Sequence, residues 1–374
     1  MKGADYILDR VRQNPLAGDT VALYEQARQF AAANASTAAR ENDDAARALV
    51  RLLGASGLLL HIGRPFRLAN LVAVREALAF EHGLIDLAFA MQGLGTFAIF
   101  LAGTDEMRAR YVGAAQKGEK IAAFALTEPE AGSDLAAITT GAVAQDGAWR
   151  LSGRKHFISN APIADFFTVL AKTDWKAGTK GMSLFVVERG AGVATPKQDV
   201  VAYHPIGEVR LEGAPGALVG AVGEGYRTAL AVLETFRTSV GAAALGMAER
   251  ALAESIDHTQ SRRQFGKPLC DQPAVQARLA DMATEIEAAR LLVYRSAGRK
   301  DGGAERIPLE SSSAKMLATE AAQRVIDSAV QLHGGRGVER GSVPERLYRE
   351  IRSLRIYEGA SDILKLVIAA QMLR

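Results

Sequence analysis

A single cysteine, Cys270, stands among the 374 residues, so no disulfide can close within the chain, and no cysteine–histidine set has zinc spacing. The formal charges nearly cancel, at +3 with a pI of about 8.9. That balance suits an anionic ligand such as a phosphorylated cofactor but falls far short of a nucleic-acid footprint. Residues 1–13 carry charge from the start and no apolar signal core, which makes a reducing cytoplasm the expected compartment. No 20–50-residue repeat, low-complexity tract, G-x-G-x-x-G or Walker pattern is present, which disfavours solenoids, Rossmann folds and P-loops. The histidines His61, His82, His156, His204, His258 and His333 show no metal spacing and no Ser-His-Asp arrangement. Only Leu87 to Thr104 runs long enough without charge to suggest a membrane. Gln92, Thr96 and several glycines within it favour a buried helical pair instead.

With 48% hydrophobic residues the chain can bury a large core divided into subdomains. Residues 1–120 are rich in Ala, Leu, Glu and Arg, and Arg40–Leu53 and Leu71–Phe80 read as amphipathic helices. Residues 121–222 switch to short apolar stretches between turns: Ile121–Leu126, Trp149–Ser152, Phe166–Ala171, Met182–Val187 and Val209–Leu211, with Asp146-Gly147 as a hairpin signal. In residues 223–374 helix returns after Gly223-Glu224-Gly225. Val275, Leu279, Met282, Ile286 and Ala289 form one bundle stripe, and Leu317, Ala321, Val325, Ser328 and Leu332 another. The expected class is α+β and multidomain: an N-terminal helical domain, a middle antiparallel β barrel or sandwich, and a C-terminal four-helix bundle.

Five segments could carry chemistry, and each has an ordinary structural alternative. In Arg355-Ile356-Tyr357-Glu358-Gly359-Ala360-Ser361 a lone carboxylate among apolar residues precedes a helix; apolar surroundings raise a carboxyl's pKa towards the working range of a general base. Gly359 removes a side chain that would crowd a substrate. Phe124 to Asp134 ends a strand in a loop of small and hydroxyl residues suited to carbonyl or phosphate groups, or is simply a polar turn. Lys155-His156-Phe157-Ile158-Ser159-Asn160 sets an aromatic and a hydroxyl on a strand edge, or is a half-buried strand. Arg262 to Pro268 offers guanidinium and aromatic groups between two helices, or a solvated loop. Gln331 to Gly337 brings three glycines after a helix, for close approach to a ligand or as a flexible cap. Arg346, Arg349, Arg352 and Arg355, with Glu345 and Glu350, read as a salt-bridged helix face.

In this order, across about 240 residues, the segments resemble the acyl-CoA dehydrogenase family. The resemblance implies two helical domains around a β domain, bound FAD, and oxidation of the Cα–Cβ bond of an acyl-CoA to a trans-2-enoyl-CoA. It implies that Glu358 takes the α proton while a β hydride passes to flavin N5. Phe124, Leu126 and Thr127 would hold the flavin edge, with Phe157, Ile158 and Ser159 packing on and bonding the ring. Ser133, Arg237 and Gly359 would lie on the substrate side. Arg262 and Phe265, and Gln331, Gly334 and Gly335, would reach the FAD of a neighbouring subunit, which implies a homo-oligomer, a tetramer or dimer, or a mixed assembly with a related chain. Electrons would leave to an electron-transfer flavoprotein. Relatives that place the base on an earlier helix use the position of Phe236, which cannot abstract a proton.

The chain departs from the family pattern at several positions. Phe124 replaces a frequent Tyr or Trp, Phe157 the usual Trp, Ala360 a Thr and Pro273 a Gln, and Tyr203–Gly220 lacks the common Met-Gly-x-Arg-x-Ser. Each removes a possible cofactor hydrogen bond, about 1 kcal/mol apiece. The rival expectations are an acyl-CoA oxidase, disfavoured by length, a flavin-dependent hydroxylase, which has no use for Glu358, and a DNA-binding relative, which carries a basic extension not found in the sixteen residues after Glu358. No nucleic-acid or membrane partner is expected.

Overall fold

The computed structural model describes residues 1–373. By packing, these fall into two compact units that do not follow the order of the chain. The first comprises Met1–Ala35, Arg67–Asp86 and the residues from Glu234 on; the second comprises Ser36–Phe66 and Leu87–Leu233. The helices before the β region are α1 (Gly3–Arg12), α2 (Val21–Ala38), α3 (Asp43–Ala55), α4 (Leu68–Glu81), α5 (Gly83–Ala102) and two short pieces, α6 (Asp105–Met107) and α7 (Ala114–Gln116).

The first unit is helical. Its later part is built from α8 (Gly225–Ser261), α9 (Pro273–Asp301), α10 (Pro308–His333), α11 (Val343–Leu354) and α12 (Ser361–Met372). Pro273 and Pro308 start α9 and α10, where a missing N–H costs nothing and the fixed φ suits a first turn. Met282, Ile286 and Ala289 continue through Val293 and Ala297 as the buried stripe of α9, while Val275 and Leu279 stay half-buried. The stripe actually buried on α10 is Ala314, Ala318, Ala321, Ala322, Val325 and Ala329. The expected salt-bridged face forms on α11, where Arg346 meets Glu350 and Arg349 meets Glu345.

Helix α4 differs from its amphipathic expectation, because residues 71–80 are buried on every side, Arg75 and Glu76 included. Both charges have partners. Arg75 grips Asp86, and Glu76 accepts from the Tyr294 hydroxyl at 2.7 Å with Arg290 at 3.6 Å. Buried charges of this kind persist only when paired. A Cβ at Gly246 of α8 would stand 2.0 Å from the Glu76 carbonyl, so glycine there permits the two backbones to touch.

The second unit holds the sheet: β1 (Ala122–Ala125), β2 (Gly141–Gln145), β3 (Ala148–Ser159), β4 (Phe166–Lys172), β5 (Met182–Glu188), β6 (Val193–Ala194) and β7 (Ile206–Val219). Pairings β4–β2–β3–β7–β5 return to β4, closing a barrel and removing its free edges, with β1 and β6 attached outside the ring. The ladders are antiparallel except that β4 runs parallel to β1 and, at one residue pair, to β2, which the antiparallel expectation missed. Asp146 and Gly147 form the β2–β3 turn at φ +51 and +75, as a two-residue hairpin requires. Strands β4 and β5 are buried on both faces; Thr168 of β4 donates to the Gly95 carbonyl of α5 at 2.7 Å. The 87–104 stretch is one helix rather than a pair. Its apolar window is long enough to cross a membrane but is 83% buried, and Gly95 lets it lie against Ala122 of β1.

A fully buried lysine ties the barrel to the loop after β1. Lys155 Nζ donates to the Leu126 carbonyl and to Glu128 Oε1, both at 2.9 Å, while Glu128 also accepts from the Thr139 and Thr140 N–H groups. Burial pushes the Glu128 carboxyl up, but Lys155 and these hydrogen bonds outweigh it and hold it at about 2. Burial lowers Lys155 to about 8 against the pull of Glu128. The depressed Glu128 group contributes stability that is full above the ordinary carboxylate range and is lost as pH falls towards 2. Lys155→Met should therefore lower the thermal midpoint at neutral pH, at a cost of about 3–5 kcal/mol for stranding a buried charge, and should flatten the acid side of the stability profile; a midpoint equal to wild type would contradict the role given to the pair.

Candidate active site

In the first unit, α11 ends at Leu354 and a six-residue turn leads to α12. Glu358 sits in that turn at φ +52 and Gly359 follows at φ +104. A non-glycine residue in the left-handed region costs about 1 kcal/mol and persists only when its surroundings enforce it. Here two buried or part-buried cations enforce it through the carbonyls. Arg237 Nε of α8 donates to the Glu358 oxygen at 2.9 Å, and Lys315 Nζ of α10 donates to the Gly359 oxygen at 2.6 Å. Arg355 and the Ser361 hydroxyl both bond Glu320 of α10, closing the turn from its two ends. A Cβ at Gly359 would meet Leu364 at 2.9 Å and Arg237 at 3.4 Å, on top of its positive φ.

The carboxylate itself is placed differently from the apolar pocket that its sequence neighbours suggest. Oε2 of Glu358 is sealed from solvent and has no hydrogen-bond partner among the described residues. Burial pushes its carboxyl above the usual carboxylate range, opposed by Arg75, Lys315 and Arg237 and assisted by Asp86. Arg75 is 1% exposed and bonds both Asp86 oxygens, at 2.8 and 2.7 Å, and Ser239 Oγ at 2.9 Å. Burial brings Lys315 down to about 8 even though Glu358 supports its charge. Burial also raises the Tyr357 phenol. Phe236 is fully buried, so the earlier-helix position offers no proton acceptor. Arg75, Asp86 and Lys315 were not foreseen. Their influence on Glu358 depends on which helices pack together, and their chain separations carry no pattern.

Still within the first unit, the stretch between α8 and α9 is a hairpin rather than a loop, with β8 (Arg263–Gln264) paired to β9 (Lys267–Pro268). Phe265 and Gly266 form its tip at φ +53 and +79, leaving Phe265 92% exposed. Gln331 is exposed near the end of α10, and beyond it Gly334 and Gly335 face open space. The imidazoles of His258 and His333 stack at 4.2 Å beside Arg262 and Arg336, so α8 and α10 bring the two segments to one basic end. Burial first, then these neighbouring cations, lower His258 to about 4.

The second unit gathers the other two segments. A register shift between Lys155 and Ile158 makes a bulge in β3 that lifts Phe157 out of the sheet, at φ +53 and 54% exposed. Ile158 is 2% exposed and points into the core, leaving only its backbone free to meet a ligand. The bulge is held against the loop after β1: the His156 N–H donates to the Thr127 carbonyl at 2.8 Å, and Lys155 reaches Leu126. Phe124, Leu126 and Thr127 are thereby brought beside Phe157, Ile158 and Ser159. Ser133 lies exposed in the bend beyond, where Asp134 caps the following turn.

Residues 123–214 match the family described as acyl-CoA dehydrogenase, middle domain, and residues 223–373 match acyl-CoA dehydrogenase, C-terminal domain. A 3-(aryl)acrylate reductase of Clostridium sporogenes is 40% identical over 81% of this chain and 82% of its own. The caffeyl-CoA reductase-Etf complex subunit CarC of Acetobacterium woodii is 37% identical over 74% of each. An acyl-CoA dehydrogenase complexed with FAD from Bacillus anthracis superposes with a TM-score of 0.88 at 29% identity, covering 96% of this chain and 67% of its own. Family matches over the β region and the later helices, with a relative 40% identical over 81% of the chain, establish that the chain belongs to the acyl-CoA dehydrogenase family of FAD-dependent oxidoreductases.

Proposed function

We propose that the protein binds FAD and interconverts an acyl-CoA thioester and its trans-2-enoyl-CoA, with Glu358 moving the α proton. The observation that carries this reading is the sealed, unpartnered Oε2 of Glu358 on a turn clamped by Arg237 and Lys315. A base must be held still, kept dry and left without a competing hydrogen bond.

The residues present fit the cofactor. Phe157 and Phe265, each left-handed and exposed, present aromatic rings to solvent. Arg262 is a guanidinium suited to a diphosphate, and Gly334 and Gly335 leave room for backbone to approach a ligand. Leu126, Thr127, Phe157 and Ser159 would hold the ring; Arg262, Phe265, Gln331, Gly334 and Gly335 would serve a second copy's cofactor. When bound, FAD supplies the two-electron acceptor for the β hydride. Glu358 takes the α proton, and Gly359 leaves space beside it. Transfer of electrons to an electron-transfer flavoprotein is supported by the relative named as a subunit of such a complex. Two relatives named as reductases favour a second direction for the same chemistry, in which protonated Glu358 gives its proton to the α carbon of an enoyl thioester.

Anaerobic titration with butyryl-CoA, 3-phenylpropionyl-CoA and cyclohexane-1-carbonyl-CoA, following flavin bleaching, tests the reading; colourless protein, or no bleaching by any acyl-CoA, would refute it. Glu358→Gln should lose bleaching by roughly 10²–10⁴-fold, the usual worth of a positioned base. The same variant should keep or raise the thermal midpoint at neutral pH. A carboxyl whose folded pKa is raised stabilises only below its unfolded value and costs stability as pH rises, and Gln removes that cost. Gly359→Ala should keep the fold but slow bleaching, because Leu364 and Arg237 both stand in the way of its Cβ; an unimpaired rate would show that the turn tolerates movement.

A further inference from the structure

Glu358 and the cations that act on it share a set of titratable neighbours. From its own turn come Arg355 and Tyr357, from α4 Arg75, from α5 Asp86, from α8 Glu234 and Arg237, and from α10 Lys315 and Glu320. Most are committed elsewhere. Arg355 is held by Glu320, and Glu234 by Arg306 and the Ile307 N–H. Arg237 and Lys315 spend a donor each on the turn's carbonyls.

Arg75 is different. It is fully buried, it makes no bond to the turn's backbone, and its ion pair with Asp86 has no partner in solvent. Such a pair is rarely worth its desolvation as a fold stabiliser; apolar residues of equal volume usually serve as well. Three of its five N–H groups go to the two Asp86 oxygens and to Ser239. The guanidinium also meets the Tyr357 side chain, next in the chain to Glu358, whose Oε2 is the orphaned acceptor of the cluster. The Arg75 charge therefore favours the ionised Glu358 carboxylate, and the Asp86 charge opposes it.

We infer that Arg75, held in place by Asp86, is a positioning residue for the proposed reaction: the buried pair sets the pH at which Glu358 changes from acid to base. This rests on the reading of Glu358 as the base. Asp86 has two opposed effects, since it anchors the guanidinium and dilutes its charge. That opposition gives the inference a signature that packing cannot imitate. Loss of the cation must make Glu358 harder to ionise, and loss of the anion with the cation kept must make it easier.

The test is the pH dependence of the anaerobic flavin-reduction rate of the holoenzyme, using whichever acyl-CoA of the panel bleaches wild type fastest. Arg75→Met should move the acid limb to higher pH, so that the rate, falling about tenfold per pH unit below the limb, is depressed near neutrality and recovers at alkaline pH. Asp86→Asn should move the limb the other way. The double variant, which removes both charges, should return towards wild type, and Arg75→Lys should restore the limb with its charge. Should Arg75→Met fail to accumulate with flavin, Asp86→Asn and the double variant carry the decision. Limbs that shift in one direction in Arg75→Met and Asp86→Asn, or stay fixed in the variants that fold, would overturn the inference and leave Arg75 a packing element. Glu358→Gln separates the two claims: if it bleaches at the wild-type rate, the base assignment itself has failed; if it is inactive while the limbs stay fixed, only the Arg75 inference has.

Discussion

The proposed chemistry depends on burying one carboxylate in a setting that both raises and restrains its proton affinity. Desolvation alone would leave Glu358 neutral and useless as a base near neutrality, and surface exposure would leave it fully ionised but weakly basic. Arg75, Arg237 and Lys315 offset the desolvation without touching the free oxygen. The surrounding helices are arranged accordingly. Arg75 enters from a helix buried on every side, Lys315 from the middle of α10, and Arg237 from α8 one residue after a buried phenylalanine. Each cation carries its own compensation, so the cluster is a balanced network rather than a positive pocket.

The second constraint is conformational. Glu358, Phe157 and Phe265, three of the residues given reactive or ligand-facing roles, all have positive φ, and none is Gly or Asn. Left-handed bulky residues are uncommon and need support. Each has it: the carbonyl clamps at Glu358, the β3 bulge tied to Thr127 at Phe157, and the two-residue hairpin tip at Phe265. At Phe157 and Phe265 the result is an exposed ring, and at Glu358 a carboxylate oxygen sealed from solvent.

Much of this was legible in the sequence. The three compositional regions, the Asp146-Gly147 turn and the segments around Glu358, Phe157 and Phe265 are local signals, written in spacing and turn chemistry. What sequence could not carry was contact between distant residues. Leu71–Phe80 looks amphipathic because Arg75 and Glu76 are charged; only their pairing with Asp86, Tyr294 and Arg290 makes full burial possible. The apolar neighbours of Glu358 suggest a greasy pocket, whereas the residues that control it lie 43 to 283 positions away, at Lys315 and Arg75. The split of Leu87–Thr104 into two helices followed from its glycines, but Gly95 is a contact point with β1 and not a break.

The proposed role requires that burial outweigh three neighbouring cations at Glu358. It is tested most directly by following the carboxyl ¹³C shift of Glu358 across pH in glutamate-labelled holoenzyme without substrate, with Glu358→Gln identifying the resonance. One titration centred above the ordinary carboxylate range is expected. A Glu358 resonance that titrates within or below that range would contradict it.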